Sequence, residues 1–198
     1  MSEITDPVQP KLALIGFRYD ENSSFMKGAA EAPSQIRAAL RSEAWHLTSE
    51  NGTDLSGEST FFDAGDIEPV AGSDMFSLIE NFTATLLNDG LTPICLGGDH
   101  SITYPIVKAF ARKYQPLNIL HFDAHPDIYD SFQGNRLSHA SPFARIMEEK
   151  LVKRLVQVGI RTFNAHQREQ VNKFGVEAIE MKNLRDGLTL EFDAPLYI

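Results

Sequence analysis

The stretch LNILHFDAHPDIYD, residues 117–130, sets an apolar run against two histidines and three aspartates packed into positions 121–130. LNIL has the length and composition of a buried strand. Charges gathered at its end are costly there unless they are paired, hydrogen-bonded or bound to metal. Side chains two apart point the same way in extended backbone, so Asp123, His125 and Asp127 converge if the strand runs on locally past its end.

Similar apolar runs recur along the chain. KLALIGF (11–17), PICLGG (93–98), LNILHFD (117–123), LVQVGIR (155–161) and VEAIEM (176–181) read as strands. Between them, DMFSLIENFTATLL aligns Met75, Ile79, Phe82 and Leu86, and SITYPIVKAFARKY aligns Ile102, Ile106, Phe110 and Tyr114, each on one helical face. Pro33 and Pro142 sit where prolines open helices, and Gly90 and Gly175 sit where glycines close them. Alternation of strand and helix predicts an α/β domain with a mostly parallel, doubly wound sheet. No repeat or linker interrupts it, so residues 1–198 are expected to form a single unit, with the polar segment 41–60 as a surface excursion. The last run, APLYI, reads as the start of a further central strand, and the expectation is therefore of an incomplete domain.

Composition narrows the function classes. The 198 residues are 42% hydrophobic and 23% charged, which suits one sizeable core and no disordered tract. Asp and Glu number 27 against 18 Lys and Arg, a balance that argues against a nucleic-acid surface and suits a cationic small molecule. Cys95 stands alone in an apolar run and reads as a buried, inert thiol. The opening MSEITDPVQPKLALIG lacks the pattern of a secretory signal and no segment reads as a membrane span, so a soluble, cytoplasmic setting is expected.

In a parallel sheet, ligands gather at the carboxyl ends of the strands, where both DAHPD (123–127) and GGDHS (97–101) fall. His100, Asp123, His125 and Asp127 are thus candidate metal ligands. Mixed carboxylate and imidazole donors favour Mn²⁺ or a related divalent ion over a structural zinc site. A single such residue at a strand end is usually capped or solvated; it is the two motifs together that point to metal. His121, inside the strand, reads as a core histidine or one that supports the ligands. Asp99 and Asp130 read as supporting or loop-capping groups, and His46 and His166 as surface residues.

GGDHS and DAHPD, together with GAAEAPSQIR (28–37) and DAGD (63–66), resemble the ureohydrolases, the arginase and agmatinase family of binuclear manganese enzymes. The segments NSSFMKGAAEAP (22–33), SFQGNRLSHASPFARIMEE (131–149) and LVQVGIR are most similar to the plant-type arginase branch, and the resemblance runs from about Lys11 to the last residue. It implies a three-layer α/β/α fold that assembles as trimers or hexamers, with two Mn²⁺ per complete site. His100 and Asp127 match ligands of one ion, His125 matches a ligand of the other, and Asp123 matches a bridging carboxylate. His139 matches a histidine that moves protons or activates the leaving amine.

The implied reaction is hydrolysis of a guanidino compound such as arginine or agmatine to urea and an amine, through a metal-bridging hydroxide. A later D-x-D pair and a downstream glutamate of the family pattern are not in the sequence. Asn135 is the nearest candidate to read the substrate's remaining polar groups, or else it makes a turn beside Gly134. The alternatives are action on another guanidino or formimino acid, or a non-catalytic truncated chain that binds metal weakly or associates with intact subunits.

Overall fold

A computed structural model of the chain describes residues 11–43, 46–55, 61–184 and 187–198, so the opening segment and parts of the excursion at 41–60 lie outside the described residues. Strand β1 (Lys11–Phe17) runs parallel between β2 (Phe61–Ile67) and β3 (Leu91–Leu96). A second parallel set has the order β6 (Glu177–Glu180), β5 (Arg154–Ile160), β4 (Asn118–Phe122), β7 (Leu196–Tyr197). The run APLYI does contribute a strand, with Tyr197 opposite Ile119.

Helices α1 (Ala32–Leu40), α2 (Met75–Asn88), α3 (Thr103–Lys113), α4 (Pro142–Glu148) and α5 (Ala165–Phe174) connect the strands. Local chemistry sets their ends. Asp74 caps α2 by accepting from the Phe76 N–H at 3.1 Å, and Asn164 and Gln167 form a reciprocal capping box on α5. Gly175 closes α5 at φ 66°, a left-handed conformation in which glycine carries no side-chain penalty. None of the described helices is long and apolar enough to cross a membrane.

The sequence reading needs three adjustments. FFDAGDI forms β2, which its weak alternation did not announce. On α2 the buried stripe is Met75, Ile79, Thr83, Leu86 and Leu87, while Phe82 is 44% exposed. Finally, the strands form two ladders rather than one: no described pairing joins β3 to β7. Cys95, Gly97, Ile106 and Tyr197 instead line a cavity of about 310 Å³. One apolar core, with Ile15, Phe17, Ile106, Ile119 and Leu155 among its members, nevertheless spans both ladders.

Candidate metal and catalytic site

The GGDHS segment follows β3 directly. A Cβ on Gly98 would lie 1.8 Å from the backbone oxygen of Tyr19, so only glycine lets this turn close against the end of β1, where the Asp99 N–H donates to Tyr19 O at 2.9 Å. The Asp99 carboxylate caps the short 3₁₀ turn His100–Ile102 through the Ser101 N–H at 2.9 Å. His100 is thereby held at the mouth of the sheet.

Strand β4 ends at Phe122, one residue before the motif, and the backbone then bends. The simple two-residue alternation therefore places His121 and Asp123 together but does not carry His125 and Asp127 with them. His125 turns outward, 59% exposed, yet its Nδ1 stays 3.3 Å from Asp123 Oδ1. Asp127 adopts φ 40°, uncommon for a non-glycine residue, and reaches across to His100, whose Nδ1 lies 2.6 Å from Asp127 Oδ2. His100, His121 and Asp123 each offer a ligand atom within 4.8 Å of the others.

His121 is thus nearer the centre than the sequence suggested, and its hydrogen bonds show how it is held. Gln157, fully buried on β5, points its amide nitrogen at the Pro126 carbonyl, 2.7 Å away; a carbonyl only accepts, which fixes the orientation of the amide. The same nitrogen lies 3.3 Å from His121 Nδ1, which must then accept, so the neutral ring carries its proton on Nε2, 3.6 Å from Asp123 Oδ2. Burial, followed by the nearby His100, lowers the His121 pKa to about 4, so the ring is neutral at physiological pH. The Asp123 carboxyl is pushed up by burial, but the His125 N–H and the rings of His121, His100 and His125 outweigh it and hold it below the ordinary value.

Among the described residues, neither Asp123 nor Asp127 has a Lys or Arg ion pair; their charges face imidazoles and, at Asp123, the backbone N–H of His125. Half-buried carboxylates left without a fixed cation, beside imidazole donors, fit a divalent ion.

A cavity of about 680 Å³ opens beside the cluster, lined by His125 and Asp127 on one side and by Tyr129, Phe132, His139 and Asn164 among others. His139 Nδ1 lies 2.9 Å from the backbone oxygen of Asn22. Asn135 does not line this cavity. Its amide nitrogen donates to Asn22 Oδ1 at 2.9 Å and its oxygen accepts from the Leu137 N–H at 2.8 Å, so the loop engages both groups that were expected to read substrate. Sequence reasoning also passed over His166, which accepts from the Asp130 N–H at 3.3 Å and stacks on Tyr129 instead of standing free at the surface. Asp130 pairs with Arg136 and Arg145, as a loop-organising group does. The Cys95 thiol is raised to about 12 by burial, which leaves it protonated and unreactive.

The Arginase family model matches residues 10–191. The chain belongs to the arginase family. It is 45% identical over 180 residues to "Arginase 1, mitochondrial" of Arabidopsis thaliana, an alignment covering 86% of this chain and 52% of that one. It is 30% identical to the agmatinase of Bacillus anthracis, over 96% of this chain and 67% of that one. The solved arginase of Medicago truncatula superposes with a TM-score of 0.83 at 42% identity, covering 89% of this chain and 58% of the other, so the α/β fold is arginase-like. The chain spans about half the length of the plant relatives it matches.

Several plant relatives carry names that place them in mitochondria or chloroplasts, which overturns the expected cytoplasmic setting. That expectation rested on a lone thiol and on the lack of a secretory signal. Organelle transit peptides follow a different composition from secretory signals, so neither feature separates the compartments.

Proposed function

We propose that this chain is the metal-bearing part of an α/β ureohydrolase unit that hydrolyses a cationic guanidino compound, arginine or agmatine, to urea and an amine. The observation that carries the reading is the pair of carboxylates, Asp123 and Asp127, facing imidazoles without a fixed cation, with Asp127 lining the 680 Å³ cavity. His100, Asp123, His125 and Asp127 would hold divalent ions, with Mn²⁺ favoured by the mixed donors, and His121 would orient Asp123. When bound, such ions supply a water whose pKa is low enough to give a nucleophile at neutral pH.

The chain's own groups account for the remaining chemistry. A guanidinium carbon is a weak electrophile, so substrate must be held close and square to the nucleophile. The aromatic side chains of Tyr129 and Phe132 line the cavity, and such rings can attract a cation. The departing amine needs a proton, and His139, on the same cavity wall, can carry one on Nε2. Among the described residues no Lys or Arg lines the cavity, which favours a cationic substrate over a formimino acid with two carboxylates to be matched.

The sequence holds two of these carboxylates and no D-x-D pair. Two dications repel strongly in a partly desolvated cleft, so binuclear occupancy of the 198-residue chain should be weak and urea release from arginine or agmatine undetectable. The same chain extended through a strand bearing D-x-D and the remaining fold should release urea. In that active form, His139→Asn should lower turnover with metal content nearly intact. Equal Mn²⁺ binding by the 198-residue chain and its Asp123→Asn variant would defeat the metal assignment.

A further inference from the structure

Asn22 joins three segments that converge on the cavity. Its backbone N–H donates to Asp99 Oδ2 at 2.9 Å, its side-chain nitrogen donates to Ser101 Oγ at 3.2 Å, and its side-chain oxygen accepts from Asn135 Nδ2 at 2.9 Å. Its carbonyl oxygen receives both the backbone N–H of His139, at 3.3 Å, and the ring Nδ1, at 2.9 Å. A carbonyl cannot donate, so the proton of a neutral His139 ring sits on Nδ1.

We propose that Asn22 is a positioning residue that fixes His139 as the Nδ1–H tautomer, leaving the Nε2 lone pair as the proton-handling nitrogen of the cavity. The proposal rests on the role given to His139 above. Among the described residues, the hydrogen-bond partner facing that lone pair is the exposed Ser24 hydroxyl, 3.5 Å away, which solvent or substrate can displace. The hydrogen-bond partners of the Asn22 side chain among the described residues are Tyr19, Ser101 and Asn135, none of them a residue that would hold metal. Its action runs through the carbonyl, whose position the bonds to Ser101 and Asn135 determine.

The test reads the ring nitrogens of His139 directly, by long-range proton–nitrogen correlation on the 15N-labelled 198-residue chain at about pH 8, above the ordinary histidine pKa. The His139→Gln variant assigns the signals. Wild type should show a protonated Nδ1 and an unprotonated Nε2. Asn22→Ala should give a mixture of tautomers, with the two nitrogen shifts drawn together. Asn22→Asp, which still accepts from Asn135 and can accept from the Ser101 hydroxyl in place of donating to it, should keep the wild-type pattern. Should Asn22→Ala unfold, Asn135→Ala removes the same bond from its other end and should move the shifts in the same direction. A proton on Nε2 in the wild type, or an unchanged pattern in a folded Asn22→Ala or Asn135→Ala, overturns the proposal. The signal needs neither metal nor substrate. Loss of the ureohydrolase reading, for instance an active longer form indifferent to His139→Asn, would therefore leave the tautomer result standing.

Discussion

Gly98 shows how a single missing Cβ shapes this site. Its contact is with the Tyr19 carbonyl, part of the backbone, which cannot rotate away as a side chain could. Gly98→Ala should destabilise the fold by roughly 1–3 kcal/mol, the usual range for forced overpacking, and should loosen His100, two residues on. Chemical denaturation together with Mn²⁺ titration would measure both, and wild-type values in each would show that the turn tolerates the shift. Asp20 organises the neighbouring loop: its carboxylate accepts from the N–H groups of Gly28, at 2.6 Å, and Ala30, at 3.2 Å. Those bonds, Gly28 first, hold its pKa below the ordinary 3.8. The unfolded chain therefore binds the proton more readily, so this contribution to stability is complete above 3.8 and is lost as pH falls through the lower folded value. Asp20→Asn should flatten the acid limb of a stability profile run from about pH 6 to about pH 3, and an unchanged slope would count against this account. At this scale the sequence made the strand-end ligand candidates visible, because a motif dense in charge stands out after an apolar run. Asn22, Gln157 and the true place of His121 were hidden, because each acts through a partner 30 or more positions away, and local pattern carries no trace of such pairings.

Helix α1 and strand β2 are locked by one buried arginine. Arg37, with its side chain 7% exposed, donates from Nε to Asp63 Oδ1 at 2.9 Å, from Nη2 to the Gly65 carbonyl at 2.8 Å, and also pairs with Asp66. The two segments that served as family markers, GAAEAPSQIR and DAGD, are thus the two halves of a clamp and do not reach the cavity. Removing one partner of a buried ion pair leaves the other charges unmatched. Arg37→Ala should therefore destabilise by roughly 3 kcal/mol or more, and Arg37→Lys should recover little, because a lysine lacks the planar fork that reaches two carboxylates and a carbonyl. Thermal denaturation of the two variants would decide, and a lysine variant as stable as wild type would show that charge alone suffices. The clamp also explains why β2 was not legible as a strand. Asp63 and Asp66 interrupt its apolar pattern to meet Arg37, and the ladder to β1 slips between Leu14 and Ile15 to accommodate them. Where burial alone decided the outcome, as along β1, β4 and β5, the apolar runs gave the strands nearly to the residue.

Across the whole molecule, strand and helix alternation was enough to expect parallel sheets, since it reports local periodicity summed along the chain. The division into two ladders was not legible, because strand partners are chosen by long-range register rather than by any one segment. This arrangement brings the carboxyl ends of β3 and β4 to one edge in a chain of net charge −9, and there the unneutralised Asp123 and Asp127 sit. A divalent ion that binds this folded edge, and not the unfolded chain, must raise stability by mass action, by about 2.7 kcal/mol at a hundredfold excess over the dissociation constant. For a chain of this length each kcal/mol moves the midpoint by about 2–4 °C, so saturating Mn²⁺ should raise it by roughly 5–10 °C. Excess chelator should reverse the shift. Asp123→Asn should abolish most of it, since that carboxylate stands between His121 and His125, whereas the equally conservative Asp193→Asn, at the far salt bridge with Lys153, should preserve it. A Mn²⁺ shift of the same size in both variants would mean that the ion binds the acidic surface at large, and the cluster at the strand ends would lose its claim to be the metal site.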